Sequence, residues 1–196
     1  MAETKQKRYG MVIDLRRCVG CFSCQVTCKV ENNVPFDDFR ARVNVAERGT
    51  YPDVKRYFLP TLCNHCEKAP CVEVCPVQAS YKREDGVVLV RVDRCIGCGY
   101  CIEACPYNAR YLDPNLNVAE KCTFCVHRID NGLPPACVHN CMGKARVFGD
   151  LNDQESEVSK LLNSVPTQVL KPEMGTHPNV FYIMADFNGL PRKEGL

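Results

Sequence analysis

Sixteen cysteines stand in the 196 residues of this chain, and they sort into four groups of four with none left over. The groups are Cys18-Cys21-Cys24-Cys28, Cys63-Cys66-Cys71-Cys75, Cys95-Cys98-Cys101-Cys105 and Cys122-Cys125-Cys137-Cys141. Four sulfurs per group, at short spacings, make shared metal coordination the first constraint on the fold.

The third group, followed by Pro106, reads C-x2-C-x2-C-x3-C-P. That is the bacterial ferredoxin run, in which three thiolates hold one cubane and the fourth ligates a neighbouring cluster. A spacing of two residues lets successive Cβ vectors converge while the intervening amides turn inward toward the sulfides. Gly20, Gly97 and Gly99 ease that turn. Pro76 and Pro106, directly after a fourth cysteine, end the helical turn there. Four quartets supply ligands for four [4Fe–4S] clusters, with the sixteen cysteines as iron ligands and electron transfer as the expected task.

Two other uses of cysteine compete. At roughly 8% of residues, cysteine reaches the level of a disulfide scaffold, but such scaffolds belong to small secreted domains. No signal peptide is recognised, since MAETKQKRYG is polar and the apolar stretch from Met11 to Leu15 is too short. The twin arginine Arg16-Arg17 runs straight into Cys18. No apolar run approaches the ~18 residues of a membrane span, so a soluble polypeptide is expected. Zinc is the second competitor. Cys122-x2-Cys125-x11-Cys137-x3-Cys141 alone could be a four-thiolate zinc site. Three cysteines at steps of three, in quartets one and three, favour iron–sulfur instead.

The formal charge of +2 describes the bare polypeptide. Sixteen thiolates and four cubane cores bring the oxidised holoprotein to about −6. That balance, with no basic run, argues against a nucleic-acid partner.

The chain repeats itself. Cys75-Pro76-Val77-Gln78-Ala79-Ser80 matches Cys105-Pro106-Tyr107-Asn108-Ala109-Arg110, with an echo in Cys141-Met142-Gly143-Lys144-Ala145-Arg146. Val12-Ile13-Asp14 precedes Cys18 much as Val90-Arg91-Val92-Asp93 precedes Cys95. Each unit therefore reads as a short strand, a cysteine loop, a brief helical turn ending at the fourth cysteine, and another strand. Asp85-Gly86 between Ser80–Lys82 and Val87–Val90 marks a hairpin. The expected fold is α+β: two pseudo-symmetric ferredoxin-like modules of two clusters each, a β-hairpin insertion and a C-terminal extension. The hairpin insertion has strands near Arg40–Val45 and Val54–Phe58, and the extension has a helix Glu155–Asn163 and a strand Val180–Met184. The expected divisions are ferredoxin-type segments 8–38, 54–85 and 86–115, a segment 116–150 that completes the first module, and the extension 151–196.

His65, His127, His139 and His177 are read as surface or supporting donors, because the cysteine set is already complete. Arg17, Lys29, Lys121 and Arg128 beside the quartets either offset cluster charge or sit in solvent. Phe22, Phe124, Tyr100 and Tyr107 are read as packing that keeps water off the clusters. There is no G-x-G-x-x-G, no P-loop and no legible nucleophile–base pair. An enzyme acting at an open iron would need a quartet short of a cysteine, and none is short. A non-catalytic electron carrier is therefore expected, with no catalytic residues.

On these residues the chain resembles the iron–sulfur subunit of complex iron–sulfur molybdoenzymes. The resemblance includes Met11-Val12-Ile13-Asp14, Leu62-Cys63-Asn64-His65-Cys66-Glu67, Lys121-Cys122-Thr123-Phe124-Cys125, Phe148-Gly149-Asp150-Leu151 and Lys171-Pro172-Glu173-Met174-Gly175-Thr176. The short length is most like the polysulfide/thiosulfate reductase branch. The resemblance implies that quartet one pairs with four and quartet two with three. Cluster 1 then takes Cys18, Cys21, Cys24 and Cys141, and cluster 2 takes Cys28, Cys122, Cys125 and Cys137. Cluster 3 takes Cys63, Cys66, Cys71 and Cys105, and cluster 4 takes Cys75, Cys95, Cys98 and Cys101. It implies a molybdopterin catalytic subunit facing cluster 1 and a quinone-reactive membrane anchor facing cluster 4. It also implies anaerobic respiration at the periplasmic face after export with a partner, the alternative being the cytoplasm. A formate dehydrogenase or hydrogenase subunit, or a free polyferredoxin, remains the rival reading. One departure is visible: Lys29 and Met142, not proline, follow the last cysteines of quartets one and four.

Overall fold

The computed structural model describes residues 6–184. The chain runs β1 (Tyr9–Asp14), α1 (Ser23–Asn32), β2 (Ala41–Arg48), β3 (Lys55–Leu62), α2 (Pro70–Glu73), β4 (Ser80–Lys82) and β5 (Val88–Val90). It continues through α3 (Tyr100–Glu103), β6 (Arg110–Leu112), β7 (Ala119–Lys121), α4 (Val126–Ile129), α5 (Ala136–His139), β8 (Arg146–Asp150), α6 (Glu157–Ser164) and β9 (Val180–Ile183). The result is a mixed α and β fold of short elements.

Its largest sheet forms around β1, whose Met11, Val12 and Ile13 are wholly buried. A strand apolar on both faces belongs in the middle of a sheet, and the order is β8-β1-β9. β8 lies antiparallel to β1, from Tyr9↔Asp150 to Ile13↔Arg146. β9 runs parallel to it, from Met11↔Val180 to Asp14↔Ile183. Three two-stranded hairpins, β2–β3, β4–β5 and β6–β7, stand beside this sheet. The principal core mixes aliphatic side chains with Cys24, Cys28, Cys63, Cys122 and Cys137, and a smaller one gathers Cys66, Cys71 and Cys101 around Val88 and Ala119. The thiols are thus part of the interior.

Several elements differ from expectation for identifiable reasons. α1 is no brief turn ending at Cys28: it spans ten residues and stops at Asn33, whose left-handed φ of 48° lets its N–H bond Lys29 O. Lys29 can continue the helix where a proline would end it. β2 and β3 extend past the expected limits because Glu47 and Arg56 face each other across the ladder and bond at 2.7 Å. α6 starts at Glu157 because the Ser156 side chain caps the Ser159 N–H. The expected strand before Cys95 stops at Val90. Met184, expected to close the last strand, falls just past β9.

The C-terminal extension straps the cysteine loops. Glu67 N–H bonds His177 O at 2.8 Å and Lys68 N–H bonds Thr176 O at 3.1 Å. Among the described residues no helix is long and apolar enough to cross a membrane.

Candidate iron–sulfur sites

In all four cysteine loops the residue just before the second cysteine adopts positive φ: Gly20 (65°), His65 (44°), Gly97 (68°) and Phe124 (53°). At Phe124 the residue's own N–H bonds Cys122 Sγ at 3.4 Å. Glycine is required at two of the positions by space as well as by φ. A Cβ on Gly20 would collide with the Phe58 ring, and one on Gly97 would fall 2.5 Å from Asn117 O. His65 and Phe124 accommodate the backbone strain differently: their buried rings stack at 3.7 Å between centroids. A second left-handed position recurs three residues past the fourth cysteine, at Gln78, Asn108 and Lys144. It aims the Ala79 N–H at Cys75 Sγ and the Ala145 N–H at Cys141 Sγ, both at 3.2 Å.

The cysteines converge in sets drawn from distant stretches. Cys18, Cys21, Cys24 and Cys141 line one cavity. Cys75, Cys95, Cys98 and Cys101 line a second, and Cys28, Cys122, Cys125 and Cys137 a third. The remaining four are mutual neighbours: after burial, Cys63, Cys71 and Cys105 are the charges that act on Cys66. Among the described residues no three Cys, His, Asp or Glu side chains close in tightly enough for a single ion. The sulfurs surround a space, not a point.

Burial makes bare thiolates costly in this interior. It pushes the Cys28 and Cys66 thiols up to about 12 and lifts Cys122 well above its ordinary value, in each case helped by neighbouring cysteines. At Cys75 burial also pulls upward, but the N–H groups of Ser80, Ala79, Val77 and Gln78 outweigh it and the thiol falls below its usual range. Sixteen soft sulfur donors that need positive charge suit iron. Buried N–H groups of His65 (Nε2), Arg110 (Nε, Nη1) and Arg146 (Nη2) lack a protein partner, which suits a group rich in acceptors such as inorganic sulfide.

The model of the 4Fe-4S dicluster domain family matches residues 54–151. The B subunit of tetrathionate reductase from Salmonella typhimurium is 51% identical over 183 residues, covering 91% of this chain and 73% of that protein. The B chain of polysulfide reductase from Wolinella succinogenes is 44% identical over 192 residues, covering 96% and 97%. The arsenate respiratory reductase iron-sulfur subunit ArrB of Shewanella sp. is 42% identical, covering 90% and 96%. This protein belongs to the iron–sulfur subunits of molybdoenzyme complexes. Iron–sulfur clusters of the 4Fe-4S type, electron transfer within a reductase complex and a catalytic partner subunit come with that family.

Within this iron–sulfur subunit some side chains stand elsewhere than the sequence suggested. His65 is fully buried, its Nδ1 accepting the Val88 N–H at 3.0 Å, and burial holds its pKa well below the ordinary value. Nδ1 as acceptor leaves the proton of the neutral ring on Nε2. Lys121 is buried too, whereas Arg17 is exposed. Lys29 directs its ammonium to the carbonyls of Pro35, Phe36 and Asp38. Arg128 binds Glu31, as does His127, whose Nε2 lies 2.7 Å from Oε1. Tyr100 faces solvent, Phe22 is partly exposed but lines the cavity of Cys18, Cys21, Cys24 and Cys141, and Phe124 is buried. Arg110 and Arg146, overlooked in the sequence, lie buried against cysteine sulfurs. The repeat held the signal, since both stand five residues past a fourth cysteine.

Proposed function

We propose that the chain carries four [4Fe–4S] clusters and relays electrons between a quinone-reactive membrane anchor and a molybdopterin catalytic subunit. Cluster 1 is held by Cys18, Cys21, Cys24 and Cys141, cluster 2 by Cys28, Cys122, Cys125 and Cys137, cluster 3 by Cys63, Cys66, Cys71 and Cys105, and cluster 4 by Cys75, Cys95, Cys98 and Cys101. The convergence of these sets supports the assignment. Clusters 1 and 2 form one module, from segments 8–38 and 116–150, and clusters 3 and 4 the other, from 54–85 and 86–115. When bound, each cubane supplies a site for one electron at a time. The protein orients the thiolates, excludes water and sets the local field.

The observation that carries the relay is the exposure of the cysteines. Only Cys21 and Cys98 are exposed, one in the set for cluster 1 and the other in the set for cluster 4. Each is flanked by exposed apolar side chains: Val19, Phe22 and Val26 beside Cys21, and Ile96 and Tyr100 beside Cys98. Two such patches suit two partners, one at each end. The inner sets are neighbours, since Cys63 is among the charges acting on Cys122. Catalysis belongs to the partner subunit, and the complex works at the periplasmic face.

The end-to-end match to the polysulfide reductase relative supports a polysulfide/thiosulfate-type complex. The higher identity to the tetrathionate reductase relative favours tetrathionate as the second reading. Purification from the native membrane tests the whole proposal. The expected result is a brown complex with about sixteen irons per copy of this chain and a molybdenum-containing large subunit. A colourless zinc protein, or a chain that runs alone, contradicts it.

A further inference from the structure

Three cations are buried among the cysteines. Arg146 is 3% exposed, Lys121 1% and Arg110 6%. Buried cations are costly unless opposite charge is near, and these three bond to sulfur, carbonyl and hydroxyl groups. Arg146 Nη1 lies 3.8 Å from Cys137 Sγ and 3.7 Å from Met11 Sδ, and the side chain lines the cavity walled by Cys18, Cys21, Cys24 and Cys141. Arg110 Nη2 donates to Cys71 Sγ at 3.0 Å and to Ser80 Oγ at 2.8 Å, and Ser80 in turn lines the cavity walled by Cys75, Cys95, Cys98 and Cys101. Lys121 Nζ donates to the Val88 and Cys122 carbonyls, and Cys63, Cys122 and Cys71 are among the groups acting on it. Arg40, by contrast, has Glu120 at 2.6 Å.

The order is regular. Arg146 lines the cavity of cluster 1 and touches a cysteine of cluster 2. Lys121 stands between clusters 2 and 3, and Arg110 touches a cysteine of cluster 3 and, through Ser80, the wall of the cluster 4 cavity. The two arginines occupy the same place in the repeat, at the head of β8 and of β6, five residues past Cys141 and Cys105. Ser80, at that place after Cys75, accepts the Arg110 bond instead of competing for the same space.

We propose that Arg146, Lys121 and Arg110 are charge bridges, one at each junction between successive clusters. Each raises the potential of both clusters that it joins and so offsets the cost of placing electrons on neighbouring clusters. The inference rests on the four-cluster reading. An electron added to one cluster repels the next, and in a poorly polarisable interior that repulsion reaches across the junction. A fixed guanidinium or ammonium between the two lowers the cost of reducing either. The unpartnered N–H groups of both arginines point to further bonds with the bound clusters.

The test is potentiometric EPR titration of the intact complex carrying Arg146→Met, Lys121→Met or Arg110→Met in turn, with iron counted in each. Arg146→Met is expected to lower two of the four midpoint potentials, and Arg110→Met the other two. Lys121→Met is expected to lower one from each pair. Each drop corresponds to about a tenfold change in the reduction equilibrium, about 59 mV for a one-electron couple. Arg→Lys variants retain most of the potential because they retain the charge. Where a Met variant assembles with fewer irons, the Gln variant is read instead, and the same drop is expected. Fully loaded variants with unmoved potentials, a different pattern of pairs, or a Lys variant as low as Met would overturn the bridges. Fewer than sixteen irons in the unsubstituted complex would remove the four-cluster reading itself.

Discussion

The two proposed modules reach similar sulfur geometry over different backbones. Around clusters 3 and 4 the helical turns α2 and α3 are four residues long, and Pro76 and Pro106 follow the last cysteines. Around clusters 1 and 2 no proline stands there, and α1 runs ten residues, past Cys28 to Asn32. What the modules share is smaller than a helix. It is the left-handed residue before each second cysteine, and the left-handed residue three places past the fourth in quartets two, three and four. Those positions aim amides at sulfur; helix length and proline set only where the chain goes next. The difference gives the first module a longer helix, with Val26 and Val30 exposed one turn apart and Phe22 exposed just before its start.

The largest expected effect lies at the seam between the modules, where Phe124 stacks on His65. Phe124→Ala removes a buried ring and leaves His65 without its cover, and a loss of about 3–5 kcal/mol is expected. Denaturant unfolding of the anaerobic holoprotein measures it, and a loss under about 1 kcal/mol would show that the seam is not packed as described.

Next comes the exchange of backbones. Lys29→Pro imposes on α1 the stop that the second module uses. It falls inside the helix and also removes an ammonium that holds three carbonyls. About 3 kcal/mol of destabilisation is expected. Pro106→Ala makes the reverse change at the end of a short turn, and it is expected to cost under about 1 kcal/mol. Equal costs would mean that the modules do not differ in the way the helix lengths suggest.

The smallest effect is the surface tie between the modules. Arg83 grips Asp130 with two bonds of 2.9 Å. The Arg83 bond holds the Asp130 carboxyl below its ordinary 3.8, against a lesser opposing effect of burial. A lowered carboxylate pKa stabilises the fold above the ordinary value and loses that contribution as pH falls through the lowered one. Both side chains are partly exposed, so roughly 0.2–1 kcal/mol is expected at neutral pH, and less in high salt. Asp130→Asn should therefore differ from the unsubstituted protein at pH 7 and match it once the carboxyl is protonated. A difference that persists in acid would assign the effect to something other than this ion pair.

Much of the site was legible because cysteine spacing is local. Three thiolates from one loop can be read from a dozen residues, and the repeat after Cys75 and Cys105 marked the strands that follow. The hairpin at Asp85-Gly86 was legible for the same reason. Long-range packing was not. Nothing near His65 says that Phe124 will cover it. The burial of Arg110, Lys121 and Arg146 depends on strands brought together from distant parts of the sequence. The parallel pairing of β9 with β1 joins residues from opposite ends of the fold, beyond the reach of any pattern in the sequence.

The exchange of fourth cysteines is the claim on which the path depends, and Cys141 tests it most directly. Cys24→Ser, Cys137→Ser and Cys141→Ser are compared by EPR of the reduced complex. Cys141→Ser is expected to alter the same cluster signal as Cys24→Ser, although the two cysteines lie in different quartets, and to leave intact the signal that Cys137→Ser alters. If Cys141→Ser and Cys137→Ser instead altered one common signal, each quartet would hold its own cluster and the interleaved path would be refuted.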